Sequence, residues 1–407
     1  MSKLAINGGK PVRKKTYSAW PIYGKEEEKA LINVLHSGKW GNQGAHTGIF
    51  EKEFAEYHGA RFGRTVCNGT VSLIISLQAI GINEGDEVIV PPYTFLATAT
   101  AVCAVNALPV FVDIDENTCN LNPELIEPAI TERTRAIIPV HFGGLPADME
   151  KILSIAKKHN LKVIEDAAHA HGSIYKGKKV GSLGNFGSFS FQSSKNLCAG
   201  EGGIILTNNR TDADMCETLR NCGRLKNSKW YEHGILGGNF RLSQFQAAIL
   251  SAQLKKLDSQ TKTRNKNGIF LDSELAKVDG IRPLIRSKDA SCVSYHAYIF
   301  RYNKKKFNNI PKSKFVSILN TEGIPVTIGY TMPLNQQPLF KKKLFGPYVG
   351  YKHARSIDYA ALKMPVCEKM CTDEAIIISQ NVMLGTVEDI SDIVTAVKKV
   401  QDNLNKI

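Results

Sequence analysis

The stretch Asp148-Met-Glu-Lys-Ile-Leu-Ser-Ile-Ala-Lys-Lys-His-Asn-Leu-Lys-Val-Ile-Glu-Asp-Ala-Ala-His-Ala-His-Gly172 contains a helix-like run, a short apolar run and a turn of small residues and histidines. Residues 148–159 read as a helix and Lys162–Glu165 as a buried strand, with the loop from Asp166 following its end. The same unit recurs on both sides. Short apolar runs appear at Thr65–Cys67, Glu87–Val90, Val110–Asp113, Ala136–Val140, Phe186–Ser190 and Gly203–Thr207, and most are separated by helix-like stretches such as 70–81 and 97–106. Short buried strands alternating with helices predict an α/β fold with a mostly parallel central sheet. In such sheets ligands bind at the carboxyl ends of the strands, so the loops there are where chemistry is sought.

Upstream, residues 24–38 read as a helix with Ala30, Leu31, Val34 and Leu35 on one face, acidic residues at its start and Gly38 closing it. A second helix is expected over 48–58, where Phe50, Phe54 and Tyr57 form a core stripe. Downstream of Arg241 the pattern changes to one long helix over 242–276, then a smaller α+β part. That part contains a strand at His296–Tyr302 and helices at Lys312–Glu322 and 386–404. The expected division is a large domain with an N-terminal arm at 1–255 and a smaller C-terminal domain at 256–407. No internal repeat or low-complexity tract is found.

A chain of 407 residues suits a two-domain enzyme, and 43% apolar with 22% charged residues is ordinary for a globular protein. No apolar run reaches the length of a spanning helix, and the N-terminal residues lack the apolar core of a signal peptide. Nine cysteines form no paired framework, and the four-residue spacing of Cys367 and Cys371 is a poor zinc signal. The expectation is a cytoplasmic protein with reduced thiols. The net charge of +14 admits either nucleic-acid binding or attraction of small anions. The basic runs Lys304–Lys306 and Lys341–Lys343 are short and carry little aromatic interleaving, so they read as solvated surface. Neither a nucleic acid nor a membrane is expected as partner.

Three segments are candidates for chemistry. In the first, Asp166 ends a strand and is followed by two alanines and His169-Ala170-His171. A strand-end aspartate either caps a helix and binds loop amides, or pairs with a protonated pyridine nitrogen as in the electron sink of pyridoxal phosphate. The His-Ala-His spacing lacks an evident third metal ligand. In the second, Lys195 lies in Gly187-Ser-Phe-Ser190-Phe-Gln-Ser-Ser-Lys195-Asn-Leu-Cys-Ala-Gly200-Glu-Gly-Gly203, between two strand-like runs. Such a lysine is either a surface group or an amine of lowered pKa able to form a Schiff base, with Ser190 offering a hydroxyl to an anion. In the third, Cys67-Asn68-Gly69-Thr70-Val71-Ser72-Leu73 opens a helix, as a plain N-cap or as a phosphate site. A near match to a phosphate loop, Gly172–Lys179, has Lys179 in place of the Ser or Thr that would hold magnesium and reads as a turn between short strands. No G-x-G-x-x-G follows a strand.

Together these segments resemble the DegT-like sugar aminotransferases of the fold-type-I, aspartate-aminotransferase-like pyridoxal-phosphate enzymes. Ser37–Gly41, Gly85–Pro91, Pro139–Gly144 and Gly238-Asn239-Phe240-Arg241 carry the likeness further, from about Trp20 to the C-terminus. The resemblance implies catalytic roles for Lys195, as Schiff-base lysine, and Asp166, at the pyridine nitrogen. It implies His169 near the cofactor's phenolic oxygen, Phe95 stacked on its ring, and Gly69, Thr70 and Ser190 around its phosphate. Asn239 and Arg241 match residues that reach the phosphate of a neighbouring subunit, which implies a homodimer with shared sites. The implied reaction is transfer of an amino group from glutamine or glutamate to a ketone. The phrase around Ser190-Phe191-Gln192 and Gly200–Gly203 looks like the branch acting on inososes and aminocyclitol precursors. A nucleotide-linked keto-sugar aminotransferase, and a non-catalytic cofactor-binding regulator, are the alternatives. Pro333-Leu-Asn-Gln-Gln-Pro338 departs from the family's His-Leu-Gln-Pro and leaves the acceptor open.

Overall fold

Seven short strands pair into one twisted sheet, and six of them point the same way. They are β1 (Phe62–Val66), β2 (Glu87–Val90), β3 (Leu108–Phe111), β4 (Thr134–Ile137), β5 (Lys162–Asp166), β6 (Phe186–Ser190) and β7 (Gly203–Thr207), in the order β1-β7-β6-β5-β4-β2-β3. The structure is a computed structural model that describes residues 2–41, 43–229, 231–347 and 356–406.

Strands β2 to β6 pair in parallel, while β7 runs antiparallel to both β1 and β6. The reason lies in the connection. Parallel neighbours need a crossover, usually a helix, whereas residues 191–202 between β6 and β7 form a loop that simply turns back. That loop contains Lys195.

Side chains alternate across the sheet, as strand geometry requires. Val88 and Ile164 enter a core with helices α3 (Gly69–Ala79) and α4 (Ala97–Ala104), and their neighbours Ile89 and Val163 enter one with α2 (His46–His58) and α5 (Met149–Lys158). Burial on both faces is why these strands read as unbroken apolar runs. The 172–179 segment is a two-residue hairpin, Ile174–Tyr175 with Lys178–Lys179, whose turn takes Lys176 and Gly177 at positive φ.

Helix α7 (Gln244–Leu275) starts at a capping box formed by Ser243 and Gln246 and runs from the large sheet to a second one. The second sheet consists of β8 (Ile281–Pro283), β9 (Ala297–Tyr302), β10 (Val326–Thr327) and β11 (Ala375–Ser379), all antiparallel, in the order β8-β9-β11-β10. Helices α8 (Lys312–Thr321) and α9 (Val387–Gln401) share its core with Leu4. The N-terminal arm is fastened there. Arg13 pairs with Asp389 at 2.7 Å and Asp392 at 2.9 Å, and buried Glu322 accepts from the amides of Ala5 and Val12 and from Lys399.

Helix α1 (Lys25–Ser37) departs from its expected face. Val34 is buried but Leu35 is half exposed, because α1 meets α7 through Glu27, whose carboxylate takes bonds from Gln253 and Lys256. Among the described residues, no helix is long and apolar enough to cross a membrane.

Candidate active site

The carboxyl ends of the parallel strands open into a cavity of about 770 Å³, closed from the other side by the second sheet. Seven of the nine expected residues line it: Gly69, Thr70, Phe95, Asp166, His169, Ser190 and Lys195. Asn239 and Arg241 do not. Asn239 is exposed, and Arg241 donates to Asn221 Oδ1 at 2.7 Å.

Asp166 is the last residue of β5 and is buried. Its Oδ2 accepts from Thr98 Oγ1 at 2.8 Å and its Oδ1 from the Ala168 amide at 3.2 Å; the Thr98 hydroxyl also meets Thr94 Oγ1 at 3.1 Å. Burial raises the Asp166 pKa, opposed by the bond from Thr98, the Ala168 amide and the Lys195 charge. Lys195 behaves inversely. Burial pushes its amine down to about 8, and Asp166 resists only in part. A carboxylate and an amine, each displaced toward its neutral form, therefore face one cavity, and such displaced groups mark functional sites.

The lysine loop is tied down by its own short side chains. Gln192 Oε1 accepts from the Ser194 amide and hydroxyl, the Lys195 amide reaches Gln192 O at 2.9 Å, and Asn196 Nδ2 donates to Ser294 O at 2.8 Å. From the N-terminal arm, the Trp20 indole donates to Ser193 O at 2.9 Å.

At the start of α3 the two readings of Asn68 and its neighbours coexist. Asn68 Oδ1 caps the Val71 amide at 2.9 Å, and its carbonyl takes Ser72 N, so the amides of Gly69 and Thr70 precede the first intrahelical bonds. They face the cavity beside Ser190. A Cβ on Gly69 would lie 2.6 Å from Ser190 Cβ, so only glycine lets helix and strand approach this closely. Free amides, a helix dipole and a serine hydroxyl form a cradle for a phosphate-sized anion. Phe95 stands in the cavity 60% exposed, unusual for a phenyl ring and suited to a flat partner.

His169 Nδ1 accepts from the Gly143 amide at 3.3 Å, which places the proton on Nε2. Burial holds its pKa well below the ordinary value. His171 faces elsewhere, packed against Phe189 and Phe191, so the two histidines do not share a ligand direction. Glu165, next to Asp166, is a structural carboxylate. It accepts from the amides of Gly181, Leu183 and Gly184 at 2.7 Å and lies 3.0 Å from His141 Nε2.

Sequence reasoning missed Thr98, Glu201, His296 and Tyr330, which also line the cavity. Thr98 carried a usable signal, since Thr94 and Thr98 stand one helical turn apart after a strand. His296 and Tyr330 come from the second sheet region, and no local pattern links them to Asp166.

The sequence pattern of the DegT/DnrJ/EryC1/StrS aminotransferase family matches residues 21–383. The chain belongs to that family. It is accordingly an aminotransferase, with the fold-type-I architecture its structural neighbours share. One family relative, the L-glutamine:2-deoxy-scyllo-inosose aminotransferase of Streptoalloteichus tenebrarius, is 37% identical over 98% of this chain and 97% of its own length. The crystal structure of 3-amino-5-hydroxybenzoic acid synthase superposes with a TM-score of 0.84 at 30% identity, covering 95% of this chain and 99% of that one. NtdA from Bacillus subtilis, solved with bound cofactor PMP, superposes at 0.79 with 26% identity, over 96% and 86% of the two chains.

Proposed function

We propose that this aminotransferase uses pyridoxal 5′-phosphate to move the amino group of glutamine, or of glutamate, onto a cyclic ketone of the inosose type. The observation that carries the cofactor is the pairing, across one cavity, of buried Asp166 with Lys195 at a pKa of about 8. The residues present suit the group: the amides of Gly69 and Thr70 with the Ser190 hydroxyl for its phosphate, Phe95 for its face, Asp166 for its pyridine nitrogen, and the Nε2–H of His169 for its phenolic oxygen. When bound, the cofactor supplies an aldehyde that joins an amine and a cationic ring that withdraws electrons.

The chain's own groups do the rest. Asp166, whose ionised form Thr98 and Ala168 favour, would sit at the ring nitrogen and support its proton. Lys195 would hold the group through its aldehyde, and its free amine would take the proton from the donor's α-carbon. An amine near pKa 8 is suited to this, because part of it is unprotonated at neutral pH. His169, kept neutral by burial, donates rather than repels. The second sheet lines the cavity opposite the strand ends, and Trp20 ties down the lysine loop at Ser193.

For the acceptor, the support is the relatives' named activity together with the lining. Among the described residues no arginine lines the cavity, Lys195 is its one lysine, and Glu201 adds a second carboxylate. An uncharged ring of hydroxyls suits that lining better than a nucleotide diphosphate. A homodimer completes the reading. Asn239 and Arg241 lie outside their own cavity, and Leu236 at 92%, with Trp40 and Ile32 each at 51%, leave apolar surface uncovered. We place the enzyme in the cytoplasm, where its nine free thiols would stay reduced, and the division of the chain at 255/256, within α7.

The test is sequential. Glutamine is added to the loaded enzyme and the cofactor spectrum followed; then 2-deoxy-scyllo-inosose or a nucleotide-linked keto-sugar is offered and the amine detected by mass. Spectral conversion with amination of the inosose is expected. Amination of the nucleotide-linked sugar alone would overturn the acceptor, and an unchanged spectrum would overturn the reaction.

A further inference from the structure

The segment Ser294-Tyr295-His296 leads into β9 at the cavity, and it is built at a cost. Tyr295 takes φ +44°, a left-handed conformation that bulky residues rarely adopt. Its ring is held by α7, where Gly268 leaves no room for a Cβ and Asp272 accepts from the tyrosine hydroxyl at 3.3 Å. Ser294 is a hub. Its amide donates to Ser173 Oγ at 3.0 Å, its carbonyl accepts from Asn196 of the lysine loop, and its hydroxyl donates to the His169 carbonyl at 3.2 Å. The consequence of the strained turn is the placement of His296. Its ring stacks on that of His169 at 4.3 Å and 30°, at the cavity wall, with its Nδ1 buried and lacking a partner among the described residues.

An ordinary core histidine satisfies its buried nitrogens. Here a strained backbone holds one imidazole flat against another, and its Nδ1, like both ring nitrogens of His171, has no partner among the described residues.

We propose that His296 is a positioning residue for amino transfer: its ring clamps His169 in the orientation in which Gly143 N fills Nδ1 and the Nε2–H faces the cavity. The catalytic consequence rests on the function proposed above; the clamp itself does not. The groups around the pair are Lys195 and His171 beside His169, the same two with Arg264 beside His296, and Asp166 at the end of β5. All but Asp166 are cationic or able to become so, and burial disfavours a charged ring, so both rings stay neutral. Opening the stack to water lets the His169 pKa climb back toward its ordinary value. The His169 charge would then appear at higher pH and oppose the Lys195 amine.

The test compares His296→Ala with His296→Phe, which keeps a flat ring without nitrogens. The cofactor-free protein, labelled with ¹⁵N-histidine, reports the His169 tautomer by NMR, and the loaded enzyme gives kcat and KM against pH. In His296→Ala the single Nε2–H tautomer is expected to give way to exchange between forms. kcat should fall about ten- to a hundredfold, as displaced active-site groups do, with the donor KM little changed and the acid limb moved to higher pH. His296→Phe should restore the tautomer and most of kcat. A folded His296→Ala with the native tautomer and pH profile would overturn the proposal. So would a His296→Phe variant whose His169 exchanges freely; this second criterion holds even where the alanine variant does not fold. If the tautomer responds as expected while no amino transfer is found with any donor, the clamp stands and the functional reading fails.

Discussion

Among the described residues Thr98 supplies the one side-chain donor to Asp166, across 2.8 Å of buried space, and Thr98→Val removes that donor while keeping the shape of the side chain. A hydrogen bond to a buried charged group is worth about 1.5–3 kcal/mol. Burial already pushes the Asp166 carboxyl up, and Thr98 is the first of the influences that bring it down. Without it the ionised form loses support, leaving only the Ala168 amide and the distant charges. The sign follows directly: protonation of Asp166 removes the negative charge that would keep the ring nitrogen protonated, so the acid limb of kcat moves to higher pH. If the whole bond is felt in the transition state, the rate falls by about 10- to 150-fold. Thr98→Ser, which keeps the hydroxyl, is the control and should retain most of the rate. The assay is kcat and kcat/KM against pH for the three proteins, each loaded to the same cofactor content. A valine variant within about twofold of the parent at every pH would refute the reasoning, because the hydrogen bond would then carry no catalytic energy.

Lys195→Ala should abolish multiple-turnover transfer and the lysine-dependent absorbance of the loaded protein; retained turnover would remove Lys195 from its assigned role. In the cofactor-free protein, the rate of Lys195 labelling by an amine reagent, followed by peptide mass against pH, should rise through an inflection near 8 rather than near the usual lysine value. Asp166→Asn should slow transfer by about 10²-fold or more yet raise the melting temperature of the cofactor-free protein at pH values above the ordinary aspartate range. A carboxyl whose folded pKa is raised contributes stability below its unfolded pKa and loses it as pH climbs through the folded value, and asparagine removes that loss. Gly69→Ala should weaken cofactor retention, measured by dialysis and absorbance, since its Cβ meets Ser190 at 2.6 Å; unchanged retention would argue against the cradle.

The fold was legible where local pattern and tertiary environment agree. All seven strands of the large sheet were found, because burial on both faces writes continuous apolar runs such as Glu87–Val90 and Gly203–Thr207. What was not legible is direction and exposure. The reversal of β7 depends on a loop connection rather than on the composition of the strand. The exposure of Leu35 depends on α1 burying Glu27 against Gln253 and Lys256, a polar contact spanning 226 residues that no helical periodicity encodes. The same division holds at the site. Asp166, Ser190, Lys195 and Gly69 sit at strand ends or a helix start, places that sequence reading can find. Thr98 and His296 earn their positions through contacts made only after folding, the first spanning 68 residues to Asp166.

Those late contacts explain why the cavity holds its charges as it does. Burial alone would drive Asp166 and Lys195 toward a neutral acid and a neutral amine, and for the amine that displacement is useful. For the carboxyl it would be harmful on the proposed reading, in which only the ionised form supports a proton on a pyridine nitrogen. The fold separates the two cases by giving Asp166 the Thr98 hydroxyl and the Ala168 amide while giving the Lys195 amine no hydrogen-bonded carboxylate among the described residues. On that reading one desolvated cavity holds a base and an anion at the same pH, and the difference between them rests on a hydroxyl in the first turn of α4. On the proposed reading, a cationic ring seated against Asp166 relieves the remaining penalty, so cofactor binding and ionisation of Asp166 should strengthen one another.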